Sequence, residues 1–278
     1  MSKQKDTESG LQSTKERLRK KLDGRFNFLK IGVMFSFCNL KRADKRLLQY
    51  KDAYEGDRCF IVATGPSLTL EDVEKLKYEK TFSMNSCIKF FDKTLWRPSF
   101  YMLMDPEVYT ALYDKVNNAD LPTVFYNVFS ILSIAREGIP VKINSWYMTY
   151  LKTKRSKMHP KQIGFSRNAL KYLYEAHTTV YIAMQMAAFM GFKEIYLLGN
   201  DCDYTGAQHS GIASYQLDSP TDAGEKIMAD YRMAKEQIEK LGIRVYNATR
   251  GGKLEVFERV DFDSIDFKTC LLYTSRCV

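Results

Sequence analysis

Four residues, Thr64-Gly65-Pro66-Ser67, abruptly end the short apolar run Cys59–Ala63. Just beyond them Thr69 and Asp72 have the spacing of a capping box at the start of a helix. A strand, a tight turn and a helix N-terminus together present free backbone N–H groups, the chemistry that receives an anion. Gly65 would let the backbone approach such a ligand closely, and Pro66 would stiffen the turn beside it. The loop is neither a G-x-G-x-x-G nor a Walker sequence, since it has one glycine and no following Lys-Ser/Thr. Any buried first strand of an α/β domain also ends in a turn, so the loop alone does not establish a ligand.

Similar residues recur after later apolar runs, as Asn85-Ser86, Asp105-Pro106, Asn127, Gly199-Asn200-Asp201 and Asn247-Ala248-Thr249. The runs read as strands at Cys59–Ala63, Thr81–Met84, Phe100–Met104, Thr123–Tyr126, Glu194–Leu198 and Arg244–Tyr246. Helical patterns lie between them at Leu70–Lys77, Pro106–Val116, Ile131–Glu137, Thr178–Met190 and Asp222–Leu241. Alternation of this kind predicts an α/β, Rossmann-like, doubly wound and mostly parallel sheet. Ligands of such sheets collect at the carboxyl ends of the strands. Turn formers belong there in any case, but their convergence after several strands supports one polar pocket for a nucleotide-type ligand. Asp201-Cys202-Asp203 adds an Asp-x-Asp spacing able to hold a divalent metal, with Asp105 as a further carboxylate for magnesium. The Asp-x-Asp pattern is short and common by chance, so a metal is the lesser reading of it.

The 278 residues, 45% of them hydrophobic, suffice for one substantial core. More than half of the net charge of +9 falls within residues 1–57, which read as an N-terminal extension to a domain over 58–269. The domain itself is nearly balanced, which argues against a nucleic-acid partner. Within the extension, the apolar stretch 26–40 lies between basic flanks and is too short for the roughly 20 apolar residues of a bilayer span. Such a stretch suits in-plane association with an anionic membrane surface. The bland alternative is an arm packed on the domain or on a second subunit, which would make a homo-oligomer. The six cysteines lack paired or metal-ligand spacing, and no secretory signal precedes them, so reduced thiols and a cytoplasmic location are expected, the inner membrane face being where the N-terminal stretch would associate peripherally. The last nine residues, Cys270 to Val278, resemble a translated transposase mosaic end and are set apart as an adapter-derived tail.

Three blocks carry a resemblance: Ala63–Leu68; Met84-Asn85 through Trp96-Arg97-Pro98 to Asp105-Pro106; and Thr178–Tyr181 with Gly191–Asp201 and Val245–Phe257. Together they resemble the 6-hydroxymethylpterin diphosphokinase-like family, whose members often accompany polysaccharide-synthesis genes. The first and third also resemble the bacterial lipooligosaccharide sialyltransferases. The resemblance covers roughly residues 58–262.

It implies a donor nucleotide on Thr64, Gly65, Pro66, Ser67 and Asn85, with Thr178 and Thr179 near its phosphate. Asp105, Gly199, Asn200 and Asp201 complete the implied nucleotide site. A histidine in a lid after the Gly-x-Asp strand end would be the base; here that is His209, in a lid over about 204–221. Tyr204 is the preferred phosphate partner. His159 falls in a basic loop, and His177 opens the Thr-Thr helix, where capping would explain it. The implied activity is inverting transfer of an acidic sugar from a nucleotide-activated, CMP-type donor to a glycan or lipid-linked acceptor, without a metal cofactor. The alternatives are an ATP- and magnesium-dependent diphosphokinase acting on a pterin-like alcohol, with Asp105, Asp201 and Asp203 as metal ligands, and a catalytically degenerate nucleotide-binding scaffold.

Overall fold

The computed structural model describes residues 44–127, 138–141, 143–144, 164–204 and 222–269. The chain divides into two compact units, Met1–Arg42 and Ala43–Val278, and every described residue belongs to the second. The apolar stretch 26–40, the helical pattern 131–137, most of the lid, His159, His209 and the tail lie outside the described residues.

Eight strands form one parallel sheet: β1 (Arg58–Val62), β2 (Thr81–Met84), β3 (Phe100–Leu103), β4 (Val124–Asn127), β5 (Ile139–Val141), β8 (Glu194–Leu198), β9 (Arg244–Asn247) and β10 (Glu258–Arg259). Their spatial order is β10-β9-β8-β1-β2-β3-β4-β5, and β6 (Ile143–Asn144) pairs with β7 (Leu173–Tyr174) in a separate two-stranded sheet. The chain builds outward from β1 to β5, then returns to lay β8 on the other side of β1, in register from Arg58 opposite Glu194 to Val62 opposite Leu198. The topological switch point, where open α/β sheets bind ligands, is therefore between β1 and β8.

Side chains alternate across the sheet. Cys59 and Ile61 join a core shared with α3 (Thr179–Met190) and α4 (Ala223–Lys240). Phe60 and Val62 join the opposite core, shared with α1 (Leu70–Lys75), α2 (Pro106–Asn117) and the 3-10 segment Asn85–Lys93. Helix α3 is buried from Val180 through Met190, so its apolar all-round sequence belongs to an interior helix. Buried Gln185 is fully satisfied there: its Oε1 accepts from the Ser166 and Tyr174 amides, both at 2.9 Å, and its Nε2 donates to the Tyr174 and Tyr181 carbonyls.

Helix α1 ends two residues earlier than its sequence pattern, and its capping box forms in full between Thr69 and Asp72. Thr69→Ala is expected to cost about 1 kcal/mol in denaturant unfolding; a variant with an unchanged midpoint would show the cap to be redundant. Residues 44–57, assigned above to the extension, pack on the domain. Leu47 is buried, Tyr54 stacks on Phe192, and the Asp52, Tyr54 and Gly56 amides bond to carbonyls at the end of α3 and its cap. No helix among the described residues is long and apolar enough to cross a membrane.

Candidate functional site

A cavity of about 400 Å³ opens at the carboxyl ends of β1, β2, β3 and β8, at the switch point of the sheet. Thr64, Gly65 and Pro66 line it from the loop after β1, and Asn85 from the end of β2. Asp105 lines it from the turn into α2, and Thr178 and Thr179 from the first turn of α3. Gly199, Asn200, Asp201, Asp203 and Tyr204 complete it from the segment after β8. Ser67 stands behind this wall and donates its Oγ–H to Asp201 Oδ2 at 2.9 Å. Asn127, Asn247 and Thr249 are structural: Asn127 donates to the Met104 carbonyl, Asn247 to the Leu254 carbonyl, and Thr249 Oγ1 accepts from the Asn200 amide.

The structure changes the reasons for several assignments. A Cβ on Gly65 would lie 1.8 Å from Asp201 Oδ2 and 2.4 Å from the Gly199 carbonyl oxygen. Glycine is thus required by the packing of the β1 loop on the β8 end, before any ligand is considered. The amides expected at the α1 N-terminus are partly claimed by its own capping box, and the helix has only six residues. The twelve-residue α3 instead turns its first residues to the cavity, with Thr178 as N-cap. The cap is therefore Thr178 and not His177.

Backbone strain gathers at the cavity. Asn85 and Cys202 both hold positive φ, 50° and 53°, and both line its wall. Tyr101 donates its hydroxyl to the Asn85 carbonyl and so fixes that turn. The Asn85 amide donates to Thr179 Oγ1 at 3.3 Å, while its buried Oδ1 has no hydrogen-bond partner among the described residues. Burial pushes the Asp201 carboxyl above its ordinary value, although the Ser67 bond works the other way. Burial, reinforced by Cys202 and Asp201, raises the Tyr204 phenol to about 12, so it stays a hydrogen-bond donor at neutral pH.

The carboxylates named for magnesium are dispersed in role. Asp105, Asp201 and Asp203 all line the cavity, but Asp203 pairs with Lys253 at 2.9 Å and Asp201 accepts from Ser67. No group of three or more His, Cys, Asp and Glu is placed to hold a metal among the described residues. Two carboxylates with substrate phosphates are still a set that magnesium accepts. Sequence reasoning missed a different pair. His177 lines the cavity, and its Nδ1 lies 2.7 Å from Asp230 Oδ2 on α4, while its backbone N–H donates to the same oxygen at 3.0 Å. These residues are 53 positions apart, and nothing in the sequence links them.

Comparison with curated proteins finds no match. Among solved structures, the MAf glycosyltransferase of Magnetospirillum magneticum AMB-1 is similar at 15% identity and a TM-score of 0.50, over 80% of this chain; the chain spans only 38% of that protein. The sialyltransferase CstII of Campylobacter jejuni, solved in complex with the substrate analogue cytidine-5'-monophosphate, is similar at 16% identity and a TM-score of 0.46, over 74% of this chain and 85% of that one. At 15% identity the likeness to the MAf glycosyltransferase is one of fold. The profile described as 6-hydroxymethylpterin diphosphokinase MptE-like matches residues 36–207, well over half of the sequence, and the chain belongs to that family.

Proposed function

We propose that this chain is a glycosyltransferase that moves an acidic sugar from a CMP-activated donor to a glycan or lipid-linked acceptor, with inversion at the anomeric carbon. One observation carries the reading: the ends of β1, β2 and β8 and the first turn of α3 meet in a single cavity whose polar groups are mostly uncharged donors. Thr64, Thr178, Thr179, Asn85 and Tyr204 supply hydroxyl, amide and phenol groups there. Among the described residues that line it, Lys226 is the one lysine or arginine, and it pairs with Asp222 at 2.7 Å. Transfer from a triphosphate calls for metal and cationic clamps on several phosphates. A single leaving phosphate is satisfied by hydroxyls, a phenol and helix amides. The choice of cytidine comes from the motif resemblance to sialyltransferases.

In this reading the nucleotide lies along Thr64–Pro66 and Asn85, with Ser67 holding Asp201 from behind, and its phosphate lies at Thr178, Thr179 and Tyr204. The acceptor hydroxyl attacks the anomeric carbon from the face opposite the phosphate and gives its proton to a histidine, the role the resemblance assigns to His209. A magnesium-dependent phosphoryl transfer is the second reading, favoured by Asp105 and Asp201 lining one cavity. Bound between them, the metal would neutralise charge on a nucleotide triphosphate.

Turnover of CMP-sugars, UDP-sugars and ATP, each with and without EDTA, separates the readings. The expected result is cleavage of a CMP-sugar that survives EDTA. Activity on ATP alone, lost in EDTA and restored by magnesium, would replace this proposal with the second.

A further inference from the structure

We infer that His177, held by Asp230, is a proton-carrying contact to the leaving phosphate at this cavity, a role that rests on the glycosyltransferase reading. The pair has the geometry of an oriented imidazole. Asp230 is 3% exposed and receives both the His177 ring nitrogen Nδ1 and the His177 backbone N–H on one oxygen. That double contact fixes the ring and places a proton on Nδ1, so Nε2 is the nitrogen left for a ligand. Among the described residues nothing hydrogen-bonds to Nε2. The side chain is 43% exposed at the cavity wall, directly before Thr178 and Thr179.

Hydroxyls, a phenol and helix amides meet the phosphate there as neutral donors, and the second negative charge of a leaving nucleoside monophosphate adds a call for a cation. Among the described lining residues the one lysine or arginine, Lys226, is already paired with Asp222. A protonated His177 donates Nε2–H to a phosphate oxygen, and Asp230 balances the imidazolium from behind. As the anomeric C–O bond breaks, its electron pair moves to the phosphate oxygen and the Nε2 proton follows it. The imidazole is left neutral with its Nδ1–H still on Asp230. The acceptor oxygen forms the new bond to the anomeric carbon and releases its own proton to the separate base. The ionisable groups around His177 are Asp230 and Lys226 from α4, Asp222 directly before it, Asp201, Asp203 and Tyr204 after β8, and Asp105 before α2.

Calorimetric titration of the full chain with CMP, in buffers of different ionisation enthalpy, tests this through proton linkage. Above pH 7 the wild type should take up a proton on binding CMP. His177→Gln should bind CMP about 10- to 100-fold more weakly, the range of a lost charge-assisted hydrogen bond, and should take up none. Asp230→Asn, a second route to the same loss, should reduce both while circular dichroism verifies its fold. Cytidine, which lacks the phosphate, should bind the wild type and His177→Gln equally. A folded His177→Gln protein with wild-type CMP affinity and the same proton uptake overturns the assignment. A wild type that binds neither CMP nor cytidine overturns the underlying reading, and this role with it.

Discussion

Gly65→Val is expected to unfold the domain or to cost it more than about 3 kcal/mol, the range of core overpacking with backbone displacement. Its first added carbon would sit 2.4 Å from the Gly199 carbonyl oxygen and 1.8 Å from Asp201 Oδ2. Neither neighbour is free to yield. The Gly65 amide donates to the Gly199 carbonyl at 2.7 Å, so the two strand ends are tied at the point of the clash. Asp201 is 7% exposed, accepts from Ser67 on its side chain, and accepts from the Lys253 amide at 2.7 Å on its backbone. Even Gly65→Ala meets the same atoms and should lower the denaturation midpoint substantially. Equal midpoints for Gly65→Ala and wild type would mean that the β1 loop and β8 end do not pack as described.

The second large effect is expected from filling the cavity. Thr179 is the first residue of α3, is partly exposed, and has its Oγ1 within 3.3 Å of the Asn85 amide. Thr179→Tyr adds an aromatic ring where the reading places the phosphate, without entering the buried face of the helix. CMP affinity should fall at least about 100-fold, equivalent to roughly 2.7 kcal/mol, while the melting temperature stays near that of wild type. Loss of binding together with loss of fold would instead assign Thr179 a packing role.

Much of the fold was legible because the sheet is buried on both faces. Thr81–Met84 and Glu194–Leu198 are mostly apolar or β-branched runs, with Ser83 inside the first and Glu194 opening the second, and both strands have the bounds their sequence suggests. Helix α3 differs from its pattern by one residue, because Thr178 serves as the cap. The strands β5, β6, β7 and β10 were not legible. Each has two or three residues, and β5 contains Pro140, a residue that normally argues against a strand. The 3-10 segment Asn85–Lys93 was also missed, since its apolar residues follow neither strand nor helix periodicity cleanly.

The candidate site divides in the same way. Thr64, Asn85, Asp105 and Asp201 could be named because strand ends are readable one strand at a time. Their meeting in one cavity depends on the return of the chain to β8 beside β1, which no local pattern encodes. The pairing of His177 with Asp230 depends further on how α4 lies against the start of α3. From sequence alone His177 looked like a cap, and it is a cavity residue with a buried carboxylate behind it.

The central claim is that the cavity between β1 and β8 receives a nucleoside monophosphate. Titration of wild type and Thr179→Tyr with CMP, with melting curves recorded on the same samples, tests it most directly. Saturable binding by wild type, about 100-fold weaker in a Thr179→Tyr protein of unchanged stability, is the predicted result. No CMP binding by wild type at millimolar concentration, or equal affinities in the two proteins, would contradict it.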